Sequence, residues 1–275
     1  MEIPGWEPDW ENDDHAAAWA AFAMTDPGPA RPDLFEPVEI GETHFTGYYE
    51  PELEGARAPS AAFPVPLHAM PPDLPPLWHP RAEIVARDLL RGHEIVWVES
   101  AIEAFLAQVQ GSVRIRTPEG PLRLGFAGKN GHPYRSIGRE LVRRGVAPAE
   151  RLTPEVIRAW CRDNPGEVAA LLDHNPSYVF FRVLDLPPGS GPIGAMGVPV
   201  TPGRTLAVDP EVVPLGSPVW IDCPGFGARL MVAQDVGSAI RGRRADIFIG
   251  SGREAGLTAG AINARGRMIW LRRRG

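Results

Sequence analysis

The hydrophobic pattern of the chain consists of short apolar runs that end at turns or at charged residues. Residues 230–233 form one such run near the C-terminus, and its length and continuity predict a strand buried on both faces. Asp235 follows that run. After a Gly-containing turn and a patch of arginines, Asp246 leads into a second apolar run at residues 247–249. Asp209 stands in the same way directly after an apolar run, so three aspartates lie at the edges of predicted strands.

A carboxylate at the edge of a buried strand costs free energy unless it is paired, hydrogen-bonded or used in chemistry. Aspartates in such places commonly cap turns, and this is the alternative interpretation for each of the three. Asp246, however, lies between buried strand residues, and no evident helix follows Asp235 for it to cap. Three such carboxylates in one short region therefore predict an acidic site.

Upstream, the same patterns predict a mixture of helices and strands. Helices are predicted at residues 15–24, 81–91, 100–109, 137–144 and 154–172, with a break near 164–165; strands are predicted at residues 43–51, 94–97 and 178–184 and as a hairpin over residues 113–128. Ser100 with Glu103 three residues later is typical of a helix start. The proline-rich residues 64–80 are expected to be extended or irregular.

Composition narrows the class of protein. The 275 residues suffice for one large or two ordinary domains, and the net charge of −6 argues against a nucleic-acid binder. The 31 prolines and 30 glycines favour many short strands joined by turns over a helical bundle. Cys161 and Cys223 could form one disulfide, although two buried free thiols are favoured. No CxxC or HExxH motif and no histidine pair at ligand spacing exists, so neither a metal nor an organic cofactor is expected.

The N-terminal segment bears on localisation. Six acids and no base lie between Glu2 and Asp14, whereas a secretory signal begins with basic residues. The apolar residues 16–24 are too few to span a bilayer, which takes ~20 residues, so no transmembrane segment is expected. The protein is therefore expected either to stay in the cytoplasm or to have been trimmed.

Two polar segments are candidates for ligand binding. Tyr48 and Tyr49 are adjacent on a predicted strand and face opposite ways, so that one can pack in the core while the other faces a cleft, or both can merely pack. The turn-rich residues 127–138 carry Lys129, Asn130 and Tyr134. This segment is either a solvated loop or a saccharide-binding loop, in which amide and ammonium donors meet hydroxyls and a ring covers a sugar face.

Two motif matches are rejected. Gly189, Gly191 and Gly194 match GxGxxG, but Pro192 and the lack of a following helix remove the phosphate-binding context. The tripeptide that begins at Asp235 resembles the aspartic-protease signature, yet such an enzyme needs two of these loops sharing a proton and the chain offers one.

Several motifs together resemble one family. Asp209, the AQDVG segment around Asp235 and the RADIFIG segment around Asp246 resemble the three-aspartate domain that closes the lytic transglycosylases of the membrane-bound A family. The resemblance continues upstream through FTGYYEP (45–51), FLAQVQGS (105–112), AGKNGHPYRSIG (127–138) and NPSYVFF (175–181), and covers roughly residues 44–272 in matching order.

The resemblance implies a mainly β fold with some helices. A double-psi β-barrel would be formed by residues 1–95 and 183–275, with a smaller β-barrel domain of residues 96–182 inserted and glycan bound in a groove between them. A monomer in the periplasm or at the outer membrane is expected. Members usually carry a lipoprotein signal with an acylated cysteine, and no such signal is visible in this sequence.

The resemblance also implies a reaction. The family cleaves the β-1,4 bond between N-acetylmuramic acid and N-acetylglucosamine in peptidoglycan, and leaves a 1,6-anhydro-muramoyl end without using water. The resemblance assigns the catalytic role to Asp246, which acts first as the acid and then as the base. It assigns supporting roles to Asp235 and Asp209. We expect neighbouring negative charge and a site of low polarity to raise the pKa of Asp246 toward ~6. Six residues are expected to bind the glycan: Tyr48, Tyr49, Gln108, Lys129, Asn130 and Tyr134.

Two other functions stay open at this point. A hydrolase on a related barrel would use Asp235 and Asp246 as an acid–base pair, because ordinary glycosidases employ two carboxylates. A non-catalytic murein-binding protein would keep the glycan groove without turnover.

Overall fold

The computed structural model describes residues 7–26, 28–29, 31–187 and 189–275, so the first part of the acidic N-terminal stretch lies outside the described residues. The chain divides into two compact units, Met1–Tyr49 with Pro187–Gly275 and Glu50–Leu186. The inserted segment is predicted to begin at residue 96, whereas the first division falls after Tyr49. The division comes earlier because strands of residues 52–98 join the sheet of the second unit.

The described part of the chain is mostly β structure. Its strands are β1 (Phe35–Glu50), β2 (Glu52–Ala56), β3 (Val65–His68), β4 (Glu94–Val98), β5 (Ser112–Thr117), β6 (Gly120–Lys129), β7 (Val179–Val183), β8 (Thr205–Ala207), β9 (Pro218–Cys223), β10 (Gly227–Asp235), β11 (Arg244–Ser251) and β12 (Asn263–Arg273). Its helices are α1 (Glu7–Trp10), α2 (His15–Ala23), α3 (Arg81–Ala86), α4 (Ala101–Gln110), α5 (Ile137–Arg143), α6 (Pro154–Asp163), α7 (Val168–Asp173) and α8 (Gly252–Ala261), with short 3₁₀ turns at Pro32–Leu34, Ala149–Arg151 and Pro165–Glu167.

The first unit is a closed barrel with the strand order β1-β11-β8-β10-β9-β12. The sequence prediction of a barrel is confirmed here. Strand β10 runs parallel to β8 and antiparallel to β9. Side chains alternate along it: Met231 and Ala233 pack in one core cluster with Phe45 of β1, while Leu230 and Val232 pack in another. The predicted burial of this strand on both faces is therefore confirmed.

Helix α2 covers the second of these two clusters. Its Phe22 packs with Leu230 and Val232 of β10. Asp14 caps the helix by accepting a hydrogen bond from the backbone of Ala17, which satisfies one of the free N–H groups of the first turn. Asp14, one of the N-terminal acidic residues, thus stabilises a helix that packs on the barrel.

The second unit is a six-stranded sheet with the order β3-β4-β2-β5-β6-β7. An isolated bridge between Ala69 and Phe181 brings its two edge strands together. The predicted hairpin is confirmed as the antiparallel pair β5 and β6, and Ser100 caps α4 as expected. The predicted long helix is broken where expected, into α6 and α7.

One predicted helix is shorter in the structure, and one predicted extended segment contains a strand. Helix α3 ends at Ala86 and not at residue 91, because Asp88 adopts a left-handed φ of 50° that a helix cannot contain. The proline-rich residues 64–80 are extended at their start, as expected, because they begin with strand β3; Pro66 lies on this edge strand of the sheet, a position that tolerates the missing N–H.

The cysteine prediction is confirmed, since Cys161 and Cys223 are both buried and unpaired. Among the described residues, no helix has the length and apolar character needed to cross a bilayer. No group of three or more potential metal ligands comes together in that same part of the chain.

Candidate active site

The short strand β8 brings two of the three predicted aspartates together. Asp235 of β10 and Asp246 of β11 both pair in register with Ala207, one from each side of β8. The two carboxylates are separated along the chain by the turn between β10 and β11. They nevertheless lie at the same level of the barrel wall. Strand β1 follows β11 in the barrel and adds polar side chains to the same place.

Asp246 is partly buried, and one of its two oxygens has no hydrogen-bond partner among the residues that the structure describes. Its Oδ1 accepts a hydrogen bond from Thr46 Oγ1 at 2.8 Å, while Oδ2 accepts none from the described residues. Burial raises the pKa of Asp246 to about 6, because removing water disfavours the carboxylate. The hydrogen bond from Thr46 and the positive charge of Arg244 oppose that rise. Asp246 can therefore hold a proton in mildly acidic solution and present a free oxygen.

Asp235 has a different environment, because both of its oxygens are bound. Oδ2 accepts a hydrogen bond from the Tyr48 hydroxyl at 2.8 Å, and Oδ1 accepts from the backbone N–H groups of Ala195 and Val236 at 3.0 and 2.9 Å. Burial raises its pKa, and these three donors oppose the rise. The pKa of Tyr48 is raised well above its usual value, first by burial and then by Asp235, so its hydroxyl stays a donor.

Asp209 is buried, and its carboxylate accepts hydrogen bonds from the backbone of neighbouring loops. It accepts hydrogen bonds from the backbone of Gly242 at 2.7 Å and of Glu211 at 3.2 Å, and these lower its pKa. The first contact fixes the turn that leads into β11. Both expected causes raise the pKa of Asp246: burial is the larger and the negative charge of Asp235 the smaller.

Thr46 and Arg244 belong to the site although no sequence motif predicted them as site residues. Arg244 Nη2 lies 3.3 Å from Thr46 Oγ1, which in turn donates to Asp246. A signal for Thr46 existed, because it stands two residues before Tyr48 on a predicted strand, and residues at that spacing share one face. Nothing in the sequence identified which strand that face would meet.

The predicted glycan-binding residues fall into different environments. The ring of Tyr49 packs closely on α8 at Gly256, where any side chain would collide with it. Lys129 is exposed at the end of β6, and Tyr134 is partly buried in the loop that follows. Both of these residues belong to the second unit.

Two of those predicted roles need correction. Asn130 has no exposed surface, and its side chain bonds only backbone groups, those of His79, Pro176 and Tyr178, each at 2.8 Å. Gln108 is buried as well and bonds Arg81 and the backbone of Val179. Their amides hold the loops and helices of the second unit in place, because a buried amide must find partners within the protein.

Two family models match the sequence. The MltA specific insert domain matches residues 44–182, and the 3D domain matches residues 204–272. The second range contains all three predicted aspartates, and the first contains Thr46 and Tyr48.

Characterised relatives cover most of the chain. Membrane-bound lytic murein transglycosylase A of Escherichia coli K12 is 38% identical over 245 residues, which are 84% of this chain and 66% of that protein, so the match spans just under two thirds of its length. The crystal structure of the membrane-bound lytic murein transglycosylase of Agrobacterium tumefaciens aligns over 99% of this chain and 96% of its own, with 30% identity and a TM-score of 0.87. The E. coli protein with bound chitohexaose aligns over 86% of this chain and 73% of its own, with 35% identity and a TM-score of 0.78.

Proposed function

Since this chain belongs to the MltA family of membrane-bound lytic murein transglycosylases, we propose that it is a peptidoglycan lytic transglycosylase. It cleaves the β-1,4 bond between N-acetylmuramic acid and N-acetylglucosamine and forms a 1,6-anhydro-muramoyl end. The chitohexaose found on the E. coli relative, a chain of β-1,4-linked amino sugars, supports a glycan of this class as the substrate.

The observation that carries the proposal is the environment of Asp246. It has a pKa raised to about 6, one oxygen held by Thr46 and the other without a partner in the described part of the chain. In the proposed reaction Asp246 gives its proton to the glycosidic oxygen as the bond from that oxygen to C1 of the muramic acid breaks. The Asp246 carboxylate then takes the proton of the C6 hydroxyl of the same muramic acid, while the C6 oxygen forms a bond to C1. The proton is returned and no water is consumed.

One working carboxyl group suffices for this route because the nucleophile belongs to the substrate. A tethered nucleophile can supply ~7–11 kcal/mol of the barrier in favourable cases. Asp235 then serves as an anchor: its two bound oxygens hold Tyr48 and the backbone at Ala195. Asp209 fixes the turn before β11 through Gly242. Neither needs to change protonation during the reaction.

The chemical form of the product tests the proposed function. Purified sacculi are incubated with the protein, and soluble muropeptides are analysed by mass spectrometry. Products that lack one water relative to the reducing-end form are expected. Reducing ends would instead identify a hydrolase in which Asp235 and Asp246 act as a pair, and binding without soluble products would identify a murein-binding protein.

We further propose that Lys129 and Tyr134 contact the glycan, because both lie in family motifs and keep accessible surface. Lys129→Ala and Tyr134→Ala are expected to weaken the binding of purified glycan strands and to raise KM more than they lower kcat. Arg139→Ala, an exposed basic residue of α5, is the control for a loss of positive charge. Unchanged binding in both variants would remove this pair from the glycan site.

Thr46→Val is expected to move the pH profile to higher pH. The hydroxyl of Thr46 stabilises the ionised form of Asp246, so its loss raises the pKa of Asp246 further above about 6. A general acid works while protonated, and the alkaline limb of kcat/KM should therefore shift upward. The measurement is the rate of sacculus digestion against pH. An unmoved alkaline limb would show that Asp246 does not set it.

The membrane-bound character of the named relatives supports an envelope location for this protein. We propose the periplasm or the outer membrane, where its substrate lies. Cell fractionation of the natural host with an antibody against the protein tests this location, and recovery in the cytosolic fraction would contradict it.

A further inference from the structure

The second unit contains a cavity of about 870 Å³ between α3, α4, α6 and α7. Small-molecule sites commonly enclose about 300–1,000 Å³, so this one is large enough for an organic ligand. Its walls are mainly apolar, with residues that include Val85, Ile102, Ala104, Val168, Ala169 and Leu172. Asp246 and Asp235 belong to the other unit and are not among the lining residues, so the proposed reaction makes no use of this cavity.

Arg81 gives the cavity wall a buried positive charge. The residue is 6% exposed, and its guanidinium stacks on the rings of Phe105 and Tyr178 at 4.7 and 4.9 Å. Its Nη2 donates to Gln108 Oε1 at 2.5 Å and to the carbonyl of Ser177 at 2.8 Å, which are both neutral acceptors. Its Nε is buried and has no hydrogen-bond partner among the described residues.

The positive charge of Arg81 has no counterion at contact distance among the described residues. Within the described part of the chain, no carboxylate lies close enough to Arg81 to form an ion pair; Asp173, which also lines the cavity, acts on it from beyond contact distance. Burial lowers the pKa of Arg81 to about 10, so the group is still charged at neutral pH. A buried charge is costly unless it is paired. Arg158, a half-buried arginine of the same wall, is neutralised by Glu103 at 2.6 Å.

We propose that this cavity binds a free monocarboxylate with an apolar chain, of the kind of a medium-chain fatty acid. The chain would lie against the aliphatic walls, and the carboxylate would pair with Arg81. The carboxylate offers the charged acceptor that Arg81 lacks, and a guanidinium favours carboxylates because its N–H groups match their geometry.

Calorimetric titration of the full chain with three probes tests the site. Decanoate carries both features of the ligand, decanol lacks the charge, and acetate lacks the chain. We expect decanoate to bind at one site per chain and at least about tenfold more tightly than either of the other two. Equal affinity for decanol, tight binding of acetate or no binding of decanoate below its micellar concentration would overturn the proposal.

Variants locate the site. Arg81→Met is expected to weaken decanoate binding by about tenfold to a hundredfold, whereas Arg91→Met, which removes an exposed arginine of the same unit, should have no effect. Gln108→Glu would provide an internal carboxylate at the position that Nη2 already contacts, and should weaken binding to a similar degree.

A variant that leaves the Arg81 contacts unchanged tests the site even if Arg81→Met does not fold. Ala169 is exposed at the cavity wall, so Ala169→Trp should fill its opening and abolish decanoate binding without disturbing the guanidinium. Decanoate binding at the natural strength in Ala169→Trp would contradict the proposal even if Arg81→Met cannot be purified. Since the readout is binding and not cleavage, the outcome is independent of the proposed transglycosylase activity.

Discussion

Replacing Asp246 by asparagine is expected to abolish glycan cleavage while leaving fold and glycan binding nearly intact. Asparagine is almost isosteric, so it can still accept the hydrogen bond from Thr46 at the edge of β11. It cannot give a proton to the glycosidic oxygen or take one from the C6 hydroxyl. General acid catalysis alone contributes about 10²–10⁴-fold, and here the same group must also act as the base. The loss of kcat should therefore reach at least that range.

The measurement is the release of soluble muropeptides from sacculi, with binding of glycan strands and circular dichroism recorded for each variant. Asp222→Asn is the matched control, because Asp222 is an exposed aspartate of strand β9 in the same barrel and its loss changes the net charge equally. Asp235→Asn should lose less activity but more stability, since it disturbs the contacts to Tyr48 and to the backbone at Ala195. Digestion by Asp246→Asn at nearly the natural rate would make Asp235 the next candidate.

Local patterns allowed much of the fold to be predicted, because they report directly on burial. The continuous run at residues 230–233 predicted a strand with two buried faces, and its alternate side chains indeed enter two different cores. Caps and turn residues likewise identified the start of α4 and the β5–β6 hairpin. Helix α3 was predicted too long because periodicity does not reveal the left-handed backbone at Asp88.

The candidate site was predicted only in part because its contacts are long-range. Strand-edge positions drew attention to Asp235 and Asp246, but their common pairing with Ala207 follows from the barrel register. Thr46 meets Asp246 across 200 positions of sequence, and no local pattern encodes that contact. For Asn130 the sequence predicted a ligand contact that the structure does not support. A polar residue in a turn-rich loop resembles a ligand-binding residue in sequence, but Asn130 is buried and its side chain donates hydrogen bonds to the backbone of His79 and Pro176.

The acidic N-terminal stretch contains a contact that composition alone could not distinguish from solvated charge. Asp13 Oδ2 accepts hydrogen bonds from Arg204 Nη1 and from the backbone N–H of Leu230, both at 2.8 Å. The two side chains of this ion pair are 6% and 10% exposed, and Arg204 also donates to the carbonyl of Leu230. The pair thus joins the segment before α2 to strand β10, whose far end carries Asp235.

Asp13→Ala is therefore expected to destabilise the barrel unit strongly. Removing one partner of a buried ion pair leaves the other charge without compensation, which typically costs about 3–5 kcal/mol of the free energy of unfolding. The backbone N–H of Leu230 would lose its acceptor as well. Urea denaturation followed by tryptophan fluorescence measures the change, because Trp220 lies in the cluster packed against α2. Asp9→Ala, at an exposed aspartate of α1, removes the same charge and should leave the midpoint nearly unchanged. Equal midpoints for the two variants would show that the contact with Arg204 contributes nothing beyond a surface charge.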